Sequence, residues 1–431
     1  MVSKRLQVIP ASGTIAISNL VSQMKAEGVD IVSFSMGEPD FTTPGNIIDS
    51  CCESLRDGFT HYTPSMGIPE LRKAVADMER ETDGVPCEAF NVLITPTKQA
   101  IFMICLAYID PGDEVILPDP SWVSYEACIR LAGGVPVYVP TRYEEEFVID
   151  PSLVEAAVTP RTKMIVLNTP SNPTGTVIPE GVLRQIARIA IEHDIMVLSD
   201  EIYESIIYEG RHTSTASLPD MFGRTLLVSG LSKTYAMTGW RLGWAVASED
   251  NIRAINKLQS HSISCCVSFV QQAAVEAIRG PQDSKNAMVA EFKRRRDLAL
   301  DLISEIPQLE CKVPKGAFYV FPKYSVDTPS QKLAEILLRE GHVAVTPGTA
   351  FGPGGEGFFR VSYATSEDQI VEGFDRIKRT LAQLRSRPSE TFRPGHVPLP
   401  TRRLRARGRA RTFNTDAPIG WHRPSGHEGL S

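Results

Sequence analysis

From Asn91 to about Ser248, short apolar runs (NVLIT, DEVILP, VPVYVP, KMIVLN, IMVLSD, TLLVSG and GWAVAS) alternate with helix-length segments. Several of these runs are apolar at nearly every position rather than at every second one, which is the mark of strands buried on both faces. Strands separated by crossover helices predict an α/β core: a mainly parallel seven-stranded sheet flanked by helices. Apolar residues at helical spacing predict helices over Gln99 to Ala107 and Gly181 to His193. Ahead of the core, Ile15 to Glu27 and Glu70 to Glu79 also read as helices. Pro69 precedes the second, where a first-turn proline is tolerated, and both helices are expected to frame the entrance of a binding site.

Beyond Asn251 a long helical stretch is predicted through Arg279, and another over Glu291 to Ile306. The strand-rich segments GAFYVFP and FFRVSYA follow, with a helix near Gln331 to Glu340 between them. This pattern predicts a smaller α+β domain, built from the N-terminal segment and the C-terminal part. The expected divisions are an N-terminal segment at 1–45, a large domain at 46–285, a small domain at 286–386 and a tail at 387–431. In the tail the composition turns to Pro, Arg and Gly around TRRLRARGRAR (Arg402 to Arg411 at its centre), with no hydrophobic period. Such a segment buries too little apolar surface to offset its ordering entropy, so a disordered, solvated basic extension is expected.

Length and charge narrow the function classes. With 431 residues, 42% of them apolar, the chain can bury a large core. A net charge of -6 argues against nucleic acid or an anionic membrane as the main partner and favours a small-molecule substrate. Apolar stretches such as Phe102 to Ile109 fall well short of the roughly 20 residues that span a bilayer. Met1 to Pro10 has no apolar signal region, so a cytoplasmic protein is expected. The eight cysteines lack CxxC spacing, which predicts reduced thiols and no metal centre.

The strongest chemical signal is SGLSKTYAMTGWRLGW, Ser229 to Trp244, which leaves a strand and turns through glycine into Lys233. A lysine desolvated at the C-terminal edge of a sheet can hold a neutral amine and form an imine with an aldehyde cofactor. Taken alone, a strand-end lysine is usually a surface charge, but Ser232 and Arg241 supply a hydroxyl and a fixed cation suited to a phosphate. A phosphate anchored beside an imine-forming lysine points to pyridoxal 5'-phosphate. In IMVLSDEIYE, Asp200 ends an apolar strand and could keep a pyridine nitrogen protonated, with Tyr203 donating to the ring O3′; equally, Asp200 could cap a helix beginning at Glu201. In NTPSNPTGTV, Asn172 would offer its amide to O3′ from the other side, although a plain turn has the same composition.

In this order and spacing, Asn172, Asp200, Tyr203, Lys233 and Arg241 resemble the fold-type I aminotransferases of the aspartate aminotransferase superfamily, a similarity running from roughly Ser12 to Leu384 and carried by NPTG, SDEIYE and SKTYAMTGWRLG together. The resemblance implies that the backbone at Gly37 meets the substrate carboxylate, that Trp122 stacks on the pyridine face and that Arg360 clamps the α-carboxylate. It implies that Tyr62 reaches the phosphate of a neighbouring subunit's cofactor, and hence a homodimer with shared sites. Thr97 and Lys98 occupy the family's phosphate-cradling turn, with Pro96 removing one backbone donor there. The implied reaction is transamination of an L-amino acid, foremost L-aspartate, with 2-oxoglutarate through a Lys233 Schiff base. Aromatic, alanine or methionine donors, or a β-lyase on the same scaffold, are the alternatives.

Overall fold

The seven apolar runs form one sheet in the computed structural model, which describes residues 13–386 together with Ser3, Leu6, Gln7 and Ile9. We number its strands β1 (Val92–Ile94), β2 (Glu114–Asp119), β3 (Val135–Pro140), β4 (Thr162–Asn168), β5 (Met196–Asp200), β6 (Thr225–Gly230) and β7 (Gly243–Val246). Their order across the sheet is β1-β7-β6-β5-β4-β2-β3. Only β7 runs against its neighbours, β1 and β6; the other pairs are parallel. The central strands are sealed on both faces: Ile165, Val197 and Leu227 point to the opposite side from Val166, Leu198 and Val228, and all six are buried. Register matters most at the strand ends. Asn168 stands opposite Asp200, and Asp200 opposite Val228, two residues before β6 ends at Gly230, so three parallel strands end along one edge.

Helices Thr97–Tyr108 and Glu180–Glu192 lie where the periodicity predicts them, and Ser124–Ala132 and Pro151–Ala157 complete the connections. The predicted long helix ending at Arg279 is instead two, Glu249–Ser260 and Ser268–Arg279. The break is local: the Gln259 carbonyl accepts from the N–H groups of Ser262, Ile263 and Ser264, and Ser264 turns into the left-handed region with φ 62°.

In the second layer, Ile17, Val21, Met24, Val32 and Phe34 share a core with Phe292, Phe318, Leu333, Leu337, Ile370, Phe374, Ile377 and Leu381. Val32–Ser33 pairs in parallel with Val343–Ala344, tying the N-terminal segment to the C-terminal part. Helix Glu367–Ser386, which supplies the last four core residues, lies beyond the elements the pattern above assigns.

One further expectation changes. Helices Gly13–Ala26 and Pro69–Asp83 form, but neither contributes to the walls of the main cavity. Their apolar faces are spent on packing: Ile17 and Val21 enter the second-layer core, while Leu71, Val75 and Ala76 pack with Ile94, Val270 and Ala274. The tail at 387–431, with Arg402 to Arg411, lies outside the described residues. No helix among the described residues is long and apolar enough to cross a membrane.

Candidate active site

A cavity of about 550 Å3 opens at the edge where β4, β5 and β6 end, within the size range of small-molecule sites. Eleven of the twelve residues singled out in the sequence line it: Gly37, Thr97, Lys98, Trp122, Asn172, Asp200, Tyr203, Ser232, Lys233, Arg241 and Arg360. The twelfth, Tyr62, does not line it and is 91% exposed, so within its own chain it has no part in this cavity.

Lys233 follows β6 in the short helix Leu231–Thr234, and its Nζ donates to the Gly37 carbonyl at 2.5 Å. Burial pushes its ammonium down to about 8, against the opposing pull of the Glu38 carboxylate. The amine therefore sheds its proton far more readily than an exposed lysine.

Asp200 is 3% exposed and closes β5. No helix begins at Glu201; the chain makes a turn in which Asp200 Oδ1 accepts the Ile202 N–H at 3.2 Å. Its other oxygen, Oδ2, accepts from Tyr125 Oη at 2.6 Å. Burial raises this carboxyl to about 6, and the two donors hold it from going higher.

Arg360, on the strand Phe359–Ser362, is 5% exposed. Its Nη1 donates to Asn172 Oδ1 at 2.9 Å and its Nη2 to the Ser35 carbonyl at 2.8 Å. Nε is buried without a partner, and no carboxylate among the described residues pairs with the guanidinium. The rings of Tyr319 and Phe351 lie 4.5 and 5.0 Å from it. A buried cation held only by neutral groups is costly, and an arriving carboxylate would relieve that cost. Because Asn172 accepts from Arg360 through Oδ1, it has its amide N–H groups to offer a ligand.

Opposite, helix Thr97–Tyr108 points its N-terminus into the cavity through Pro96, Thr97 and Lys98, where the first N–H groups have no partner within the helix. Thr97 Oγ1 donates to the Ser229 carbonyl at 2.8 Å, so its hydroxyl fixes the helix to β6. Glycine is required at that contact: a Cβ on Gly243 would lie 2.3 Å from Thr97 Oγ1 and 2.6 Å from the Ser229 carbonyl. Arg241, in the left-handed region at φ 57°, donates to the Thr238 carbonyl and stays exposed. Lys98 Nζ sits 4.7 Å over the Trp122 ring, whose edge meets Tyr125 at an interplanar angle of 80°.

Sequence reasoning missed Tyr125 and Tyr319. Tyr319 pairs its hydroxyl with that of Tyr203 at 2.8 Å, and a Cβ on Gly37 would lie 2.7 Å from the same oxygen. Each tyrosine stands in an apolar stretch, SYEACI and GAFYVFP, and reads there as core. The available signal was the tyrosine hydroxyl, which seeks a partner when buried.

Residues 29–377 match the model of the family described as aminotransferase class I and II. The chain belongs to that family. This aminotransferase is 41% identical over 391 residues to the probable aspartate/prephenate aminotransferase of Aquifex aeolicus, covering 89% of this chain and 99% of that relative. It is 41% identical over 389 residues to the aromatic-amino-acid aminotransferase 2 of Thermococcus litoralis, covering 88% and 98%. A solved structure of the Thermus thermophilus aspartate aminotransferase with maleate superposes with a TM-score of 0.84 at 41% identity, over 88% of this chain and 99% of that one. The fold-type I resemblance therefore holds, and the aminotransferase carries out transamination. Pyridoxal phosphate is the cofactor of this superfamily, and the cavity suits it: a half-buried amine of lowered pKa for an aldehyde, a buried carboxylate for a ring nitrogen, and a helix N-terminus beside Arg241 for a phosphate.

Proposed function

We propose that this aminotransferase holds pyridoxal phosphate on Lys233 and transfers the amino group of an L-amino acid, foremost L-aspartate, to 2-oxoglutarate. What carries the reading is a cavity presenting a half-buried amine of lowered pKa, a buried carboxylate and a buried guanidinium that lacks an acidic partner. When bound, the cofactor supplies an aldehyde for the Lys233 amine and a ring that withdraws electrons from the substrate Cα.

The chain's own residues divide the remaining work. The backbone N–H groups of Thr97 and Lys98, the Ser232 hydroxyl and the Arg241 guanidinium hold the phosphate. Asp200 keeps a proton on the ring nitrogen, Tyr203 and Asn172 donate to the ring oxygen, and Trp122 covers the ring with its apolar surface. Arg360 binds the substrate α-carboxylate, with Gly37 leaving room beside it. The substrate amine would take the place of the Lys233 amine on the aldehyde carbon, and the freed Lys233 Nζ would then take the proton from the substrate Cα as a neutral amine; a pKa of about 8 keeps that form accessible near neutral pH. Tyr62, exposed on its own chain, serves the phosphate in the partner subunit of a homodimer.

An acidic donor has a second carboxylate to satisfy. Lys98, on the cavity wall over Trp122, offers a cation besides Arg360, and maleate, a dicarboxylate, accompanies the Thermus thermophilus relative. The test is a panel of aspartate, alanine, methionine and phenylalanine with 2-oxoglutarate, each half-reaction followed by absorbance. Aspartate is expected to respond most strongly. No response to aspartate would remove it as donor, and pyruvate with ammonia in the absence of an oxo-acid would replace transamination by elimination.

A further inference from the structure

The turn that carries Asp200 and Tyr203 also carries Glu201 and Glu204, which take no part in the cavity. Helix Pro69–Asp83 brings Glu79 and Asp83, one helical turn apart, to the same place. Carboxylate oxygens of Glu79, Asp83 and Glu204 lie within 4.8 Å of one another, and so do a ring nitrogen of His212 and one oxygen each of Glu201 and Glu204.

The hydrogen bonding of this cluster is incomplete. Glu201 is fully engaged, accepting from Ser199 Oγ, Ser214 Oγ and the Thr215 N–H, and pairing with His212 Nε2 at 2.7 Å. Glu79 is 0% exposed, and only its Oε1 has a donor, Trp244 Nε1 at 2.7 Å. Glu204 likewise accepts from Ser229 Oγ through Oε1 alone, at 2.9 Å. Glu79 Oε2, Glu204 Oε2 and His212 Nδ1 are shut off from solvent with no partner. Buried acceptors without donors are rare in folded proteins because each one forfeits its hydration. Here two of the residues that carry them, on different elements, bring their carboxylates together beside a third.

We propose that Glu79, Asp83 and Glu204 form a site for one oxygen-preferring divalent cation, of the Mn2+, Mg2+ or Ca2+ class, with the Glu201 and His212 pair beside it. Three carboxylates from two elements suit such an ion, which completes its shell with water. Asp83 is only partly buried and gives the ion a path in. Burial raises the carboxyls of Glu79 and Glu204 well above the usual range, and that of Asp83 to about 6, so the group needs either a cation or shared protons at neutral pH. An ion here would fasten helix Pro69–Asp83 to the turn behind Asp200, a role separate from the transamination chemistry.

The test uses the full-length protein with its cofactor, stripped with a chelator, dialysed, and titrated with MnCl2 alone and then with CaCl2 in competition. Binding is read by Mn2+ electron paramagnetic resonance and calorimetry. One saturable Mn2+ per chain is expected, with a higher melting temperature. Glu79→Gln and Glu204→Gln, which keep side-chain shape, should each weaken binding at least about tenfold. The proposal is overturned if the stripped wild-type protein binds neither ion, or if both variants bind as the wild type does. Absence of binding together with stability that rises on acidification would show that protons, not a cation, neutralise the cluster.

Discussion

Tyr125 donates its hydroxyl to Asp200 Oδ2 at 2.6 Å, from a ring that also meets Trp122 edge to face. The bond favours the charged carboxylate in a site where burial opposes it. A hydrogen bond to a charged group contributes about 1.5–3 kcal/mol. Tyr125→Phe should therefore weaken pyridoxal phosphate binding roughly ten- to a hundredfold and lower kcat, with the fold retained. Equilibrium dialysis of the cofactor and circular dichroism check this; unchanged cofactor affinity would remove Tyr125 from the site.

Gly37 has room for nothing larger, since a Cβ there would fall 2.7 Å from Tyr319 Oη while the Gly37 carbonyl holds Lys233 Nζ. Gly37→Ala is expected to displace Tyr319 from Tyr203 and to shift Lys233. The expected result is a loss of kcat/KM of about tenfold or more, well beyond any change in melting temperature. Steady-state kinetics beside thermal unfolding separates the two; equal losses in both would assign Gly37 to folding alone.

The sheet was legible because its central strands are apolar on both faces, as in MIVL of β4 and TLLV of β6, a pattern that only a buried parallel sheet uses so fully. Lys233, Asp200 and Asn172 were legible because each stands at or just beyond the C-terminal end of such a run, and parallel register sets those ends side by side. Tyr125 and Tyr319 were not, because their roles rest on long-range partners: 75 residues separate Tyr125 from Asp200, and 116 separate Tyr203 from Tyr319. The acid cluster was hidden for the same reason, since Glu79 on an amphipathic helix reads as a solvated charge until Trp244 is seen to donate to it. Helix Glu367–Ser386 did carry a signal, Ile370, Phe374, Ile377 and Leu381 at helical spacing, that the reading did not take up.

Lys98 is the residue on which donor choice is expected to depend. Lys98→Ala should reduce kcat/KM for aspartate roughly tenfold or more relative to that for alanine or phenylalanine, because only the dicarboxylate loses a charge partner. The check is the ratio of kcat/KM values in both proteins. A uniform fall across all donors would assign the Lys98 ammonium to the cofactor rather than to the substrate's second carboxylate.

The lowered pKa of Lys233 gives a pH dependence of definite sign. Imine formation needs the neutral amine, whose population rises with pH up to the pKa, here about 8 rather than the ordinary 10.5. At pH 7 about a tenth of the chains then have a neutral Lys233, against fewer than about one in a thousand at the ordinary value. Uptake of pyridoxal phosphate by cofactor-free protein should accelerate about tenfold from pH 6 to 7 and level off above about pH 8. Stopped-flow absorbance measures this; a rate still climbing tenfold between pH 9 and 10 would mean that burial does not depress the amine.

The most direct measurement is borohydride reduction of the pyridoxal phosphate-loaded protein, followed by peptide mass mapping. The expected result is a single reduced adduct on Lys233 in SGLSKTYAMTGWR, absent from Lys233→Ala, which should also lose turnover. An adduct on another lysine, or full transamination by Lys233→Ala, would contradict the assignment of this amine as the one that holds the cofactor and moves the proton.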